Sequence, residues 1–209
     1  MTETASNDLV QRYDQAAGGW GDKMRALGYC DAYLGFLSMP DARINPDGWV
    51  LDIGSGSGAF AEAWVAMHGR QAAGLTLLDP SARMLDRAAA ALSRRNVQTE
   101  RAVTTLEAYT PPRAHDHLLA AHVIEHCPDP AVALRHMRRL VRPGGTLWLV
   151  ASKPHWCNAI IWLQWRHRTF QKDEIARLLA ETGWALERTH AFPAGPPSRT
   201  SRGYLARAV

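Results

Sequence analysis

Trp49-Val50-Leu51-Asp52-Ile53-Gly54-Ser55-Gly56-Ser57-Gly58 is the stretch that decides the fold. WVLDI (49–53) is a short apolar run, too brief for a core helix and right for a buried strand. Glycines at alternate positions then turn the chain into the helical composition that starts at Ala59. Glycine accepts positive φ and lets a ligand come close to the backbone, and the amides at the helix start favour an anionic group. Asp79, closing the next strand, stands 21 residues after Gly58, where a carboxylate can accept hydrogen bonds from a ribose diol. A tight strand–helix turn with a capping aspartate is the bland alternative. Both features in one βαβ unit point instead to a nucleotide-like ligand.

Outward from this turn the chain alternates. A helix runs to about Gly69, a strand over 73–78, and a helix from Ser81, its capping candidate, to Arg95. A weaker strand near 99–103 precedes DHLLAAH (116–122). The next helix, from about Pro130 to Val141, should stop at Arg142-Pro143-Gly144-Gly145, and TLWLVAS (146–152) should form a strand. KDEIARLLAETG (172–183) reads as an amphipathic helix, and two short strands, roughly 184–191 and 203–208, should close the sheet as an antiparallel hairpin. On the other side, residues 7–37 read as helical, broken by Gly18-Gly19 and by Gly28, and 38–48 as turns. The pattern predicts an α/β protein with a doubly wound, mostly parallel seven-stranded sheet and helices on both faces. Ligands of such sheets bind beyond the carboxyl ends of the strands.

The bulk properties limit the alternatives. The 209 residues fit a single domain, with a helical cap at 1–37, a core at 49–150 and an aromatic cap at 152–170. Hydrophobic content of 46% and charged content of 21% are those of a soluble globular protein. No run nears the roughly 18 apolar residues of a membrane span, and MTETASNDLV (1–10) is too polar for a signal peptide. Three separated cysteines, Cys30, Cys127 and Cys157, imply free thiols and a cytoplasmic setting. A net charge of +4 tolerates an anionic substrate without requiring one. The basic residues form no long stripe, so nucleic acid is not an expected partner. Oligomeric state is not legible.

Which ligand sits on the glycine turn is open at this level. Gly54-x-Gly56-x-x-Ala59 also satisfies the dinucleotide fingerprint, so an NAD oxidoreductase competes. Asp52 argues against it, since an acid two residues before the first glycine suits a ligand with a cationic amine.

VLDIGSGSGAF (50–60) and LTLLDPSARMLDRA (75–88) resemble the first two motifs of class I S-adenosylmethionine-dependent methyltransferases. HDHLLAAHVIEHCPDPAVALRHMRRLVRPGGTLWLV (115–150), with the triplet Ile124-Glu125-His126, is similar to the ubiquinone-biosynthesis and phospholipid methyltransferase group, as is FQKDEIARLLAETGWAL (170–186). Tyr13-Asp14 and Trp20 resemble that group's N-terminal segment. The resemblance implies a Rossmann-like fold and S-adenosyl-L-methionine as cofactor, S-adenosyl-L-homocysteine as product and no metal. It implies that Gly54, Ser55, Gly56 and Gly58 border the methionine part with Asp52 near its amine, and that Asp79 holds the ribose. Pro80, Met84, Thr105 and Leu106 would lie near the adenine, with a threonine (104 or 105) where the family often has an acid, and His122 would approach from the other side.

Methyl transfer from a sulfonium is an in-line displacement, so the protein supplies alignment, exclusion of water and, for some acceptors, a base. Candidate bases at the ligand edge are His126, His122, His155 and Tyr13. The bland reading of His126 and His122 is hydrogen bonding within the loop or at the strand end. No histidine–cysteine cluster has zinc spacing. SKPHWCNAIIWLQWRHRTF (152–170) carries Trp156, Trp162 and Trp165 followed by Arg166, His167 and Arg168, and a second basic loop carries Arg199 and Arg202. Aromatic surface beside arginines suits a small amphiphilic or lipid-like acceptor with an anionic group, and equally suits peripheral docking at an anionic membrane. A plain helical cap with its tryptophans in the core is the alternative. Two further alternatives are a metalloid (arsenite) or thiol methyltransferase using Cys127 and Cys157, and a catalytically silent cofactor-binding fold.

Overall fold

The computed structural model describes residues 14, 18–39, 44, 45, 47–69, 74–156 and 168–209. In chain order the elements are α1 (Tyr29–Leu37), β1 (Trp49–Ile53), α2 (Ala59–His68), β2 (Gly74–Asp79), α3 (Ala82–Ser93), β3 (Glu100–Val103) and β4 (His115–Ala121). They continue with α4 (Pro130–Leu140), β5 (Val141–Ser152), α5 (Lys172–Glu181), β6 (Trp184–His190), α6 (Gly195–Thr200) and β7 (Ser201–Ala208). A further helical stretch over 18–26 precedes α1. The seven strands form one sheet in the order β3-β2-β1-β4-β5-β7-β6. The first five pair in parallel, while β7 runs antiparallel to both β5 and β6.

The central strands are apolar on both faces because helices cover both. Alternation along β1 and β4 sends Leu51 and Leu118 into a core shared with α4 and α5, around Leu134 and Trp184. Val50 and Leu119 join Phe36, Trp64 and Trp148 beneath α1 and α2 on the other face. Local chemistry starts the helices where it should. The Ser81 hydroxyl accepts from the Met84 amide at 3.1 Å to open α3. Asp129 accepts from the amides of Ala131 and Val132 ahead of Pro130 in α4.

Several boundaries differ from the sequence expectation. Gly18 and Gly19 belong to the helical stretch, so among the described residues the break falls at Gly28, with φ of 81°. The chain leaves α4 at Leu140 and enters β5 at once, so Arg142–Gly145 belong to the strand, opposite a register shift between His115 and His117. The closing strands are antiparallel as expected, but α6 intervenes and β7 inserts between β5 and β6. Among the described residues no helix is long and apolar enough to cross a membrane.

Candidate active site

β1 and β4 are neighbours whose connections leave in opposite directions, and beyond their carboxyl ends opens a cavity of about 500 Å³. Its floor is Asp52 to Ser57, and the end of β2 adds Asp79 and Pro80. Thr104, Thr105 and Leu106 follow β3, while His122, Val123, His126 and Cys127 follow β4. Trp20, Met24 and Tyr33 roof it from the N-terminal helices.

The glycine turn is shaped by contacts a side chain would prevent. At Gly54 (φ 61°) a Cβ would stand 2.8 Å from the Val123 side chain, so the turn and the loop after β4 touch. At Gly58 (φ 90°) it would stand 2.9 Å from Ala88 on α3. Gly58 is therefore a packing residue between α2 and α3 and is not among the residues lining the cavity. Met84 likewise falls short of the expected role. It is fully buried beneath α3 and does not line the cavity.

The carboxylates do different work. Asp79 braces the turn, accepting from the Gly56 amide at 2.9 Å through one oxygen and from the Ser81 amide at 2.8 Å through the other. Burial raises its pKa, with those amides pulling the other way. A carboxylate has about four acceptor sites, so lone pairs remain for a ligand diol. Asp52 is 1% exposed, and one of its oxygens, Oδ2, has no hydrogen-bond partner. Burial holds its pKa well above the usual range, opposed by the Ala61 amide and reinforced by Asp79. The Ser55 hydroxyl is also buried without a partner.

The histidines separate. His126 lines the cavity, and burial lowers its pKa, so a neutral imidazole faces the ligand space. His122 also lines it, with Nδ1 3.0 Å from Glu125 and 3.1 Å from the Ser152 hydroxyl. His155 packs against Trp156 (ring centroids 5.6 Å apart) and is not among the lining residues. Tyr13, Cys157, Trp162, Trp165, Arg166 and His167 lie outside the described residues.

Nor does the structure bring the remaining substrate candidates to the cavity. Trp156 is 71% exposed. Arg168 pairs with Glu174 at 2.8 Å, because the first turn of α5 supplies that acid. Arg199 ends α6 and Arg202 lies on β7, at the correct edge of the sheet but outside the lining. Cys127 does line the cavity, but its thiol points to the Val123 carbonyl and burial pushes its pKa up to about 12. Sequence reasoning missed Tyr33 and the roles of Glu125, Ser152 and Ser201. The triplet around Glu125 was the one available signal. Among the described residues, no group of three His, Cys, Asp or Glu side chains gathers as a metal site requires.

The acceptor set fits a nucleoside that carries an amino-acid arm. An ammonium would satisfy the open oxygen of Asp52, and the glycine turn leaves the backbone bare where the ligand must approach. The comparisons agree. Residues 51–147 match the methyltransferase domain model. Ubiquinone biosynthesis O-methyltransferases are 31% identical over 144 residues in Methylocella silvestris, covering 68% of this chain and 49% of the relative. The Xanthomonas campestris enzyme is 32% identical over 115 residues, covering 54% and 44%. The chain thus spans about half the length of the curated relatives it matches. Among solved structures, an S-adenosylmethionine-dependent methyltransferase from Clostridium acetobutylicum superposes with a TM-score of 0.71 at 11% identity, over 94% of this chain and 98% of the other. Magnesium protoporphyrin IX methyltransferase from Synechocystis, with bound S-adenosylmethionine, gives 0.64 at 19% identity, over 88% and 80%. Topology and glycine turn give the fold of the class I S-adenosylmethionine-dependent methyltransferases, and residues 51–147 match the methyltransferase domain within it.

Proposed function

We propose that the protein transfers a methyl group from S-adenosylmethionine to a hydroxyl oxygen of a small amphiphilic acceptor. The observation that carries the cofactor half is the buried, unpartnered oxygen of Asp52 beside the glycine turn. Asp52 would take the ammonium, Asp79 the ribose hydroxyls, and Pro80 with Thr105 and Leu106 the adenine. When bound, the cofactor supplies a methyl carbon already activated by its sulfonium. The neutral imidazole of His126 accepts the proton of the acceptor hydroxyl, a role that needs an unprotonated base at working pH. The apolar roof of Trp20 and Met24 excludes water and seats the acceptor's body. The O-methyltransferase relatives, named for ubiquinone biosynthesis, support an oxygen acceptor of this kind.

We assign the N-terminal helices that carry Trp20, Met24 and Tyr33 as the lid of a single domain, acting from the cytoplasm, while most of the aromatic cap expected over 152–170 lies outside the described residues. Peripheral contact with a membrane belongs to the same reading and rests on exposed Trp156. The thiol alternative is disfavoured, since a Cys127 pKa of about 12 keeps the thiol protonated.

The test is calorimetric titration with S-adenosylmethionine, S-adenosylhomocysteine and NADH, followed by labelled-methyl incorporation into a cell extract of lipids and quinones. Binding of both adenosyl ligands, and label in an alkali-stable methyl ether, is the expected result. Binding of NADH alone would overturn the cofactor assignment, and label confined to amines or thiols would overturn the oxygen acceptor.

A further inference from the structure

Beside the cavity wall, side chains far apart in sequence meet in a buried polar chain. Glu125 is buried, and its Oε1 lies 2.7 Å from the Ser152 amide and 3.0 Å from His122 Nδ1. A carboxylate oxygen only accepts, so the proton of that contact sits on Nδ1. His122 Nε2 faces the Ser201 hydroxyl at 3.4 Å, and Ser201 and Thr200 meet the Tyr29 hydroxyl at 3.3 and 3.0 Å. The Tyr29 ring stands edge-on to the imidazole, centroids 5.6 Å apart.

His122 is also one of two non-glycine residues with positive φ, at 57°, among the described residues. Such a backbone persists where its surroundings over-determine it, and these cluster at functional sites. Here the determinants are the His122 amide, which donates to the Val150 carbonyl at 2.8 Å, and the ring contacts above. The same turn carries Val123 against Gly54, and its amide bonds set His126 (His126 N to Val123 O, 3.0 Å). Glu125 thus joins the ends of β4 and β5 just where their ladder stops at Ala121 and Val150.

We propose that Glu125 is a positioning residue of the ligand cavity, which, by holding the His122 imidazole through Nδ1–H, sets the 122–126 loop against the glycine turn. The inference needs the cavity to be the ligand site but not any particular acceptor. Burial would raise the Glu125 pKa. The hydrogen bond and charge of His122, with the Ser152 amide, outweigh it and hold the carboxyl down to about 2. The groups facing the pair are Tyr29 and Tyr33 from α1, Tyr204 from β7, and His126 and Cys127 from the loop itself.

The experiment is ¹⁵N–¹H imidazole NMR on wild type and Glu125→Gln, with Ser201→Ala as control and melting curves to verify folding. The expected result is an Nδ1–H ring in wild type whose Nδ1–H proton signal moves upfield in Glu125→Gln, because a charge-assisted hydrogen bond becomes a neutral one. Val123 methyl signals should move with it, and S-adenosylhomocysteine binding should weaken about threefold to tenfold, the size of one ordinary hydrogen bond. Ser201→Ala should leave the Nδ1–H signal in place. A wild-type ring protonated at Nε2 alone, or an Nδ1–H signal indifferent to Glu125→Gln, overturns the proposal. If the signal depends on Glu125 while no adenosyl ligand binds wild type, the function proposed above fails and the Glu125 contact stands.

Discussion

Two buried aspartates on neighbouring strands meet opposite fates. Asp116, at the start of β4, gives one oxygen to the Trp49 amide at 2.6 Å and is ion-paired with Arg142. Among the described residues, Asp52, towards the end of β1, has no arginine or lysine in an ion pair with it, and its Oδ2 has no hydrogen-bond partner. One carboxylate has its charge matched by Arg142 of its own chain, at the end of the sheet away from the ligand edge. The other is left open where the cavity lies. Burying an unpaired carboxylate is costly, so its persistence marks a place where an outside cation completes the site.

Substitutions can break this contrast, beginning with the largest effect. Asp52→Asn should weaken S-adenosylhomocysteine binding by about 100-fold, the roughly 2.7 kcal/mol of a hydrogen bond between charged groups. Its denaturant midpoint should hold or rise, because a buried charge is removed. Calorimetric titration and urea unfolding together check both halves, and a large loss of stability would deny that Asp52 is held for the ligand. Asp116→Ala should do the reverse, costing about 2 kcal/mol of stability with ligand affinity intact, since it strands the Trp49 amide. Retained stability would show that the Arg142 pair contributes nothing.

The contrast also has a pH signature. Because the folded pKa of Asp52 is raised, its contribution to stability is complete below the unfolded carboxyl pKa and is lost as pH rises through the folded value. A bound ammonium favours the ionised form, so ligand binding expels a proton. Affinity should therefore rise with pH by up to about tenfold per unit until Asp52 is ionised, and Asp52→Asn should flatten the slope. Gly56→Ala should cost about 1 kcal/mol, for a side chain at φ 51° with open space around it. Smallest of all, Cys127→Ser should leave methyl transfer within about twofold, and the wild-type thiol should resist iodoacetamide at pH 8. Loss of activity there would revive the thiol reading.

The strands and the glycine turn were legible because their signals are local. A run such as 49–53, bounded by glycine and apolar at every position but Asp52, declares itself without its neighbours. Asp52 was legible for the same reason, and its openness was foreshadowed by an acid in an apolar strand. Gly58 was misjudged because three glycines in one turn look alike until Ala88 is seen against one of them. Met84 was misjudged because a helical residue beside the cavity can still point into the core. Arg168 reads as available until α5 brings Glu174 to it. The Glu125 chain was beyond local pattern altogether. Tyr29 and Thr200 are separated by 171 positions, and no periodicity reports such a meeting.

The insertion of β7 between β5 and β6 also governs timing. As the chain emerges from the ribosome, β1 to β5 can assemble in order, but β6 has no strand to lie against until Ser201–Ala208 is available. Tyr29, made early, waits for the same segment to find its partners at Thr200 and Ser201. Non-local pairing of this kind slows folding and leaves an edge of β5 exposed meanwhile. Nascent chains stalled before residue 201 should therefore recruit chaperones, and those stalled well after 208 should not.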